Sequence, residues 1–169
     1  CSPLTINNAI VPWVKKAKYL GVTLCSSKVF KCDWSESKKK FHTSTNTIIG
    51  RLGTTTSSPV LLKLFKTQAV PKLQYGIATM VLSKEEKKCF SFAYNSTFSK
   101  IYNTFDNNVI MCCQYYSNFL TFELLYDYHR YSFLLNLVRR SEISHKSELD
   151  RLDYNDFLKL KLRYKFNEN

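Results

Sequence analysis

The chain has 169 residues, of which 44% are hydrophobic and 15% aromatic, with only four glycines and four prolines. That is enough apolar material for one compact domain, and it excludes a disordered tail and disfavours a turn-rich β-sandwich or barrel. A formal net charge of +12 suits a surface that faces a polyanion, nucleic acid foremost, and no apolar run reaches the roughly eighteen residues of a membrane span.

The charge is uneven. Residues 1 to 57 carry nine Lys/Arg against two acids, residues 58 to 120 seven against three, and residues 121 to 169 nine against eight. The excess therefore lies in the first two thirds. Six cysteines, at positions 1, 25, 32, 89, 112 and 113, form no Cys-x-x-Cys pair and no zinc-knuckle spacing with His42, His129 or His145, so they read as reduced thiols filling apolar space. The first residues lack the apolar core of a signal peptide, and a chain that begins at Cys1 reads as part of something longer.

Taken in order, residues 6–14 and 17–24 are rich in β-branched and aromatic side chains, with Lys15-Lys16 between them. They predict two short strands joined by a basic turn, with Gly21 marking a bulge or a close backbone approach. A helix is expected from Asp33 or Ser35 to about Gly50, with Phe41, Thr45, Ile48, Ile49 and Leu52 along one side and Lys38-Lys39-Lys40 early in it. Lysines in a first turn oppose the helix dipole, so either the helix tolerates them or they meet phosphate.

The clearest helix begins at Ser58-Pro59, a cap followed by a proline whose missing N–H costs nothing there. Leu62, Phe65, Ala69, Leu73 and Ile77 recur every three or four residues, Lys63, Lys66 and Gln74 fall outside that stripe, and Pro71 predicts a bend between Thr67 and Pro71. Ser83 and Glu86 have capping-box spacing, so a further helix starts at Lys84. Its stripe of Phe90, Tyr94, Phe98, Ile101 and Phe105 runs up to a break at Asp106-Asn107-Asn108. Residues 109–116 read as a short helix. Thr121 caps a long one striped with Leu124, Tyr128, Tyr131, Leu135 and Val138 and ended by Arg139-Arg140, and Phe157, Leu160 and Tyr164 line a last helix. Asp150, Asp153 and Asp156 have the look of a solvated helix start rather than a calcium loop.

Lys18-Tyr19-Leu20-Gly21-Val22, then Val70-Pro71-x-Leu73-x-Tyr75-Gly76 and a capped, aromatic-rich helix, resemble the C-terminal part of a non-LTR (LINE-type) retrotransposon reverse transcriptase. Ala93-Tyr94-Asn95, Phe98-Ser99-Lys100-Ile101, Asp106-Asn107-Asn108 and Tyr131-x-Phe133-Leu134 are similar to that family's thumb and post-thumb region, so the resemblance covers roughly residues 1 to 140. It implies a mainly α chain, α+β overall, with an N-terminal β-hairpin at a palm's edge (1–32), a helical thumb-like region (33–105) and a C-terminal helical extension (106–169). Tyr19, Leu20 and Gly21 would match the primer grip. Lys15, Lys16, Lys18, Lys38, Lys39, Lys40, Lys63 and Lys66 would meet the phosphates of a primer-template duplex of RNA and DNA.

The expected partners are thus RNA and DNA, together with the fingers and palm of the same polyprotein, with no membrane. The expected location is intracellular, in nucleus and cytoplasm. The parent polymerase uses Mg2+ held by palm carboxylates, including an aromatic-x-Asp-Asp motif, and this chain contains no Asp-Asp pair. It therefore reads as binding without polymerising, with no cofactor of its own. The alternative is a stand-alone helical module that binds nucleic acid or protein, a degenerate element remnant. A hydrolase built on His42, His129 and Asp127 has only residue counts behind it.

Overall fold

The computed structural model of the chain describes residues 4–6, 9–28, 31–53, 56–144 and 151–165. Strands come first. β1 (Leu4–Ile6) pairs antiparallel with β2 (Ala9–Val11), and β3 (Lys16–Tyr19), β4 (Val22–Cys25) and β5 (Lys31–Asp33) form a second antiparallel sheet in that order. Helices follow: α1 (Ser35–Leu52), α2 (Ser58–Leu64), a π-helical turn (Phe65–Ala69), α3 (Val70–Gln74) and a 3-10 turn (Ile77–Thr79). Then come α4 (Lys84–Tyr102), α5 (Asn107–Tyr116), α6 (Phe122–Ser144) and α7 (Arg151–Tyr164). The chain is mainly α, and α+β overall.

The hairpin differs from the expected one. Residues 6–14 do not pair with 17–24 across a Lys15-Lys16 turn: Lys16 is itself a strand residue opposite Cys25, and the second stretch folds back so that Tyr19 faces Val22. The reversal is at Leu20 (φ 45°) and Gly21 (φ 82°). Two successive left-handed residues are what the tightest hairpin turn requires, and its twist matches that of the flanking strands. Gly21 is therefore a turn residue and not a bulge, and Leu20 beside it bears the costlier left-handed conformation of a residue with a Cβ. Asn7 and Asn8 lie outside the described residues.

The apolar stripe of the central segment is buried throughout: Leu62, Phe65, Ala69, Leu73 and Ile77 all face the core. Phe65 is its centre, with ring centroids 5.8 Å from Phe41, 5.7 Å from Tyr94 and 5.5 Å from Phe98. The expected irregularity before Pro71 takes the form of the π-helical turn, closed by the Val70 N–H on the Phe65 carbonyl. A proline cannot donate to the ladder, and one extra residue in the turn lets the helix pass that gap. The N-cap position is Ser57, one residue earlier than expected, and its side chain makes no capping hydrogen bond.

The capping box of α4 is complete. The Glu86 N–H donates to Ser83 Oγ, and the Ser83 N–H donates to the Glu86 carboxylate. The helix ends sooner than the stripe implied, because Asn103 adopts a left-handed conformation (φ 50°) and stops it at Tyr102. Phe105 is consequently 91% exposed. In α6 the buried residues are Phe122, Tyr126, Asp127, Arg130, Tyr131 and Leu134; Leu124 and Tyr128 of the expected stripe are exposed, while Tyr131, Leu135 and Val138 pack with Phe157, Leu160 and Tyr164 of α7, and the helix runs beyond Arg139-Arg140 to Ser144. Asp153 and Asp156 are not merely solvated. They bind Arg130, which is 1% exposed, through Nη2 at 2.6 Å and Nε at 2.9 Å, while Arg130 Nη1 donates to the Ala78 carbonyl. Asp150 lies outside the described residues.

β1 and β2 are exposed on both faces, while Val22 and Leu24 of β4 pack on the helical core. Two short strands alone are marginal in water. Amide hydrogen exchange in β1 and β2 is therefore expected to be fast, in β4 intermediate and in residues 90–98 slow. Equal protection of β1–β2 and α4 would mean that the first hairpin has a packed partner of its own.

Candidate nucleic-acid interface

The tip of the β3–β4 hairpin is presented to solvent and held from behind. Tyr19 is 66% and Leu20 73% exposed, yet Tyr75 Oη donates to the Leu20 carbonyl at 2.8 Å. A Cβ on Gly21 would come within 3.1 Å of the Tyr75 ring. The next residue completes the seat: Gly76 has φ +75°, and a Cβ there would lie 2.9 Å from Val22 Cγ2. Neither position accepts a side chain without moving a neighbour.

Ion pairs tie the same hairpin to the start of α1. Lys16 Nζ meets Asp33 at 2.6 Å, and Glu36 takes both Lys18 at 2.7 Å and Lys40 at 2.9 Å. Asp33 is held well below the usual carboxylate range by Lys16 first and by the Ser35 hydroxyl and N–H next. The two lysine bonds, Lys18 ahead of Lys40, lower Glu36 to about 2. These pairs are exposed, so their contribution is positional more than energetic.

Beside the tip, two neighbouring recesses that share Lys40 and Lys72 form a groove over α1, the π-helical turn and α3. The first, of about 380 Å³, is lined by Gly21, Ser37, Lys40, Pro71, Lys72 and Tyr75. The second, of about 620 Å³, shares Lys40 and Lys72 and adds Lys39, Thr43, Ser44, Thr47 and Gln68. Lys72 Nζ donates to Ser44 Oγ across it at 2.9 Å. Four lysines (Lys18, Lys39, Lys40 and Lys72) stand at this groove or its rim against, among the described residues, the single carboxylate of Glu36. Lysine ammoniums with hydroxyls and an amide between them are groups that bind a phosphodiester backbone without reading its sequence.

The expected site residues divide. Lys18, Tyr19, Leu20, Gly21, Lys39 and Lys40 come together at the tip and groove. Lys16 is occupied by Asp33 on the sheet, and Lys15 is exposed in the preceding segment. Lys38 turns to the other side of α1, 6.0 Å from the Phe90 ring. Lys63 and Lys66 border a separate recess with Tyr102, Tyr116 and Phe119, with Lys66 Nζ 5.4 Å from the Phe119 ring centroid. Lys72, Tyr75, Thr43, Thr47 and Gln68 were missed. The polar row Lys39, Thr43, Thr47 at steps of four was a usable signal.

Other recesses suit this chemistry less. That between β5 and the start of α4 is lined by Glu85 and Glu86 as well as Lys31. His42, His129 and Asp127 have separate partners: His129 meets Gln74, Asp127 takes Arg163 and Tyr164, and His42 stands edge-on to Phe41. Among the described residues no group of three or more His, Cys, Asp or Glu side chains could hold a metal ion, and no helix is long and apolar enough to cross a membrane. The sequence matches no protein-family model, no curated protein and no solved structure.

Because the folded Glu36 carboxyl lies below its ordinary value of 4.5, the tie to Lys18 and Lys40 is fully present above that pH and is lost as the pH falls through about 2. The Glu36 side chain, followed by carboxyl NMR, is expected to titrate well below the usual range. An ordinary midpoint would mean that hairpin and helix are not tied in solution.

Proposed function

We propose that this chain is the primer-grip hairpin and thumb of a reverse transcriptase of the non-LTR type, holding a primer-template duplex without itself polymerising. The observation that carries the reading is the meeting of two motifs some fifty residues apart. The Tyr19-Leu20-Gly21 tip sits on Tyr75-Gly76, through the Tyr75 hydroxyl and two glycines that leave room for it. A grip needs an exposed tip of fixed position beside a surface that follows the backbone, and this corner supplies both.

Binding follows from charge and shape. Lys39, Lys40 and Lys72 neutralise phosphates along the groove, Thr43, Thr47 and Gln68 offer hydrogen bonds between them, and the Tyr19-Leu20 tip abuts the strand end. Sequence is not read, because these contacts go to the backbone. The parent enzyme's Mg2+ would serve phosphoryl transfer in the palm, and the carboxylates described here do not fit it. Asp33 and Glu36 are held by lysines, and Asp153 and Asp156 by Arg130.

A stand-alone interaction module is the second reading. It is favoured by the exposed Phe105, Tyr115 and Tyr116 around α5, since aromatic side chains left in solvent suit a protein partner.

Titration of an RNA–DNA duplex at several salt concentrations separates the two. Replacing Lys39 and Lys72 with Ala is expected to weaken binding and to flatten the slope of log K against log salt by about two, since each phosphate contact contributes about 0.9. Replacing Lys63 and Lys66, or Arg139 and Arg140, changes it less. Glu36→Gln releases Lys18 and Lys40 and tightens binding. An unchanged slope in the Lys39/Lys72 variant, or a loss confined to the other pairs, overturns the assignment of the face.

A further inference from the structure

On an adjoining face of α1 lies a second groove, between α1 and α4, which the duplex reading leaves unused. It is about 540 Å³ and is lined by Lys38, Lys39 and His42 from α1 and Lys88, Cys89 and Phe92 from α4. Lys38 and His42, and Lys88 and Phe92, are each one helical turn apart, so each helix contributes a lysine followed by a ring. Phe92 is 76% exposed, unlike Phe90 and Phe98 of the same helix, which are buried. No carboxylate lines the groove among the described residues; Glu85, a turn earlier on α4, lines the recess toward β5 instead.

We propose that this groove binds a single-stranded nucleic-acid segment extending from the duplex, with Phe92 stacking on a base and Lys38 and Lys88 holding its phosphates. The inference rests on the duplex reading, and two features support it. An exposed ring beside ammonium groups is the arrangement by which single strands are held without sequence preference, because every base has a π-face. Lys39 lines this groove and the duplex groove alike, so a strand leaving the duplex crosses α1 over a positive charge. His42 is consistent with that role: burial first, then Lys100 and Lys38, hold its imidazole below the ordinary value, which leaves it neutral until an anion arrives. Lys100 in turn is bound to Asn46 of α1, which fixes the two helices further along.

A strand leaving the duplex must pass over α1, about 10 Å across, before a base reaches Phe92, so a longer overhang reaches the ring more readily than a short one. A fluorescence-anisotropy titration compares a blunt RNA–DNA duplex with duplexes carrying overhangs of two and of six nucleotides. The six-nucleotide overhang is expected to tighten binding by about fivefold or more, and by more than the two-nucleotide one. Phe92→Ala and Lys88→Ala should each remove most of that gain and leave blunt-duplex binding within about twofold. The His42 titration midpoint should rise with the overhang duplex only.

If Phe92→Ala keeps the full overhang gain, or if oligoglutamate of equal charge competes as well as an oligonucleotide, the groove is not a single-strand site. The duplex reading then stands or falls on Lys39 and Lys72 alone. Failure of the blunt duplex to bind removes both. Phe92 is on the surface, so its replacement does not confound the result by unfolding the chain.

Discussion

The structure depends on the corner at Tyr75 and Gly76. There the helical segment that carries the core stripe ends, the backbone passes through a left-handed residue, and the hairpin is seated by one hydroxyl and two glycines. Without the Tyr75 hydroxyl the hairpin tip would keep its ion pairs to α1, but nothing else described would fix the Leu20 carbonyl. Gly76 at φ +75° is required on two counts, conformation and space, since a Cβ would meet Val22. The corner in turn is rigid because Leu73 and Ile77 on either side of it are fully buried, and deleting a large buried apolar side chain costs about 2 to 5 kcal/mol.

Electrostatics then decide which lysines remain available. A net charge of +12 does not make a uniformly basic surface. Lys16 is spent on Asp33, and one carboxylate, Glu36, gathers Lys18 and Lys40, so these three lysines serve to position the hairpin. The surplus at the groove comes from Lys39 and Lys72. Further along the chain the same logic is turned inward: buried Arg130 draws Asp153 and Asp156 of α7 onto α6 and the Ala78 carbonyl. A buried guanidinium without those partners would carry a desolvation penalty of several kcal/mol.

What could be read from the residues alone follows the range of the interactions involved. The Ser83–Glu86 capping box was legible because both partners lie within one helical turn, and the stripe from Leu62 to Ile77 because its period is regular. The hairpin turn was not, because nothing about Leu20 announces a positive φ, and a glycine within a β-rich stretch reads equally as a bulge. Asp153 and Asp156 looked solvated because their partner is 23 and 26 residues away and charged residues are seldom fully buried. Of the candidate site, the tip and Lys39-Lys40 were legible. Lys72 and Tyr75 were not, since they reach the groove only once α3 is docked beside α1, and Lys63 and Lys66 are carried away from it by the same docking.

The most direct test of the central claim is to locate a bound duplex on the chain. Ultraviolet crosslinking of the protein to an RNA–DNA duplex, read by mass spectrometry, is expected to mark Tyr19, Tyr75 and residues of the Lys39–Thr47 and Gln68–Lys72 segments. Crosslinks confined to Phe105, Tyr115 and Tyr116 would contradict it and place nucleic acid at α5 instead of the groove.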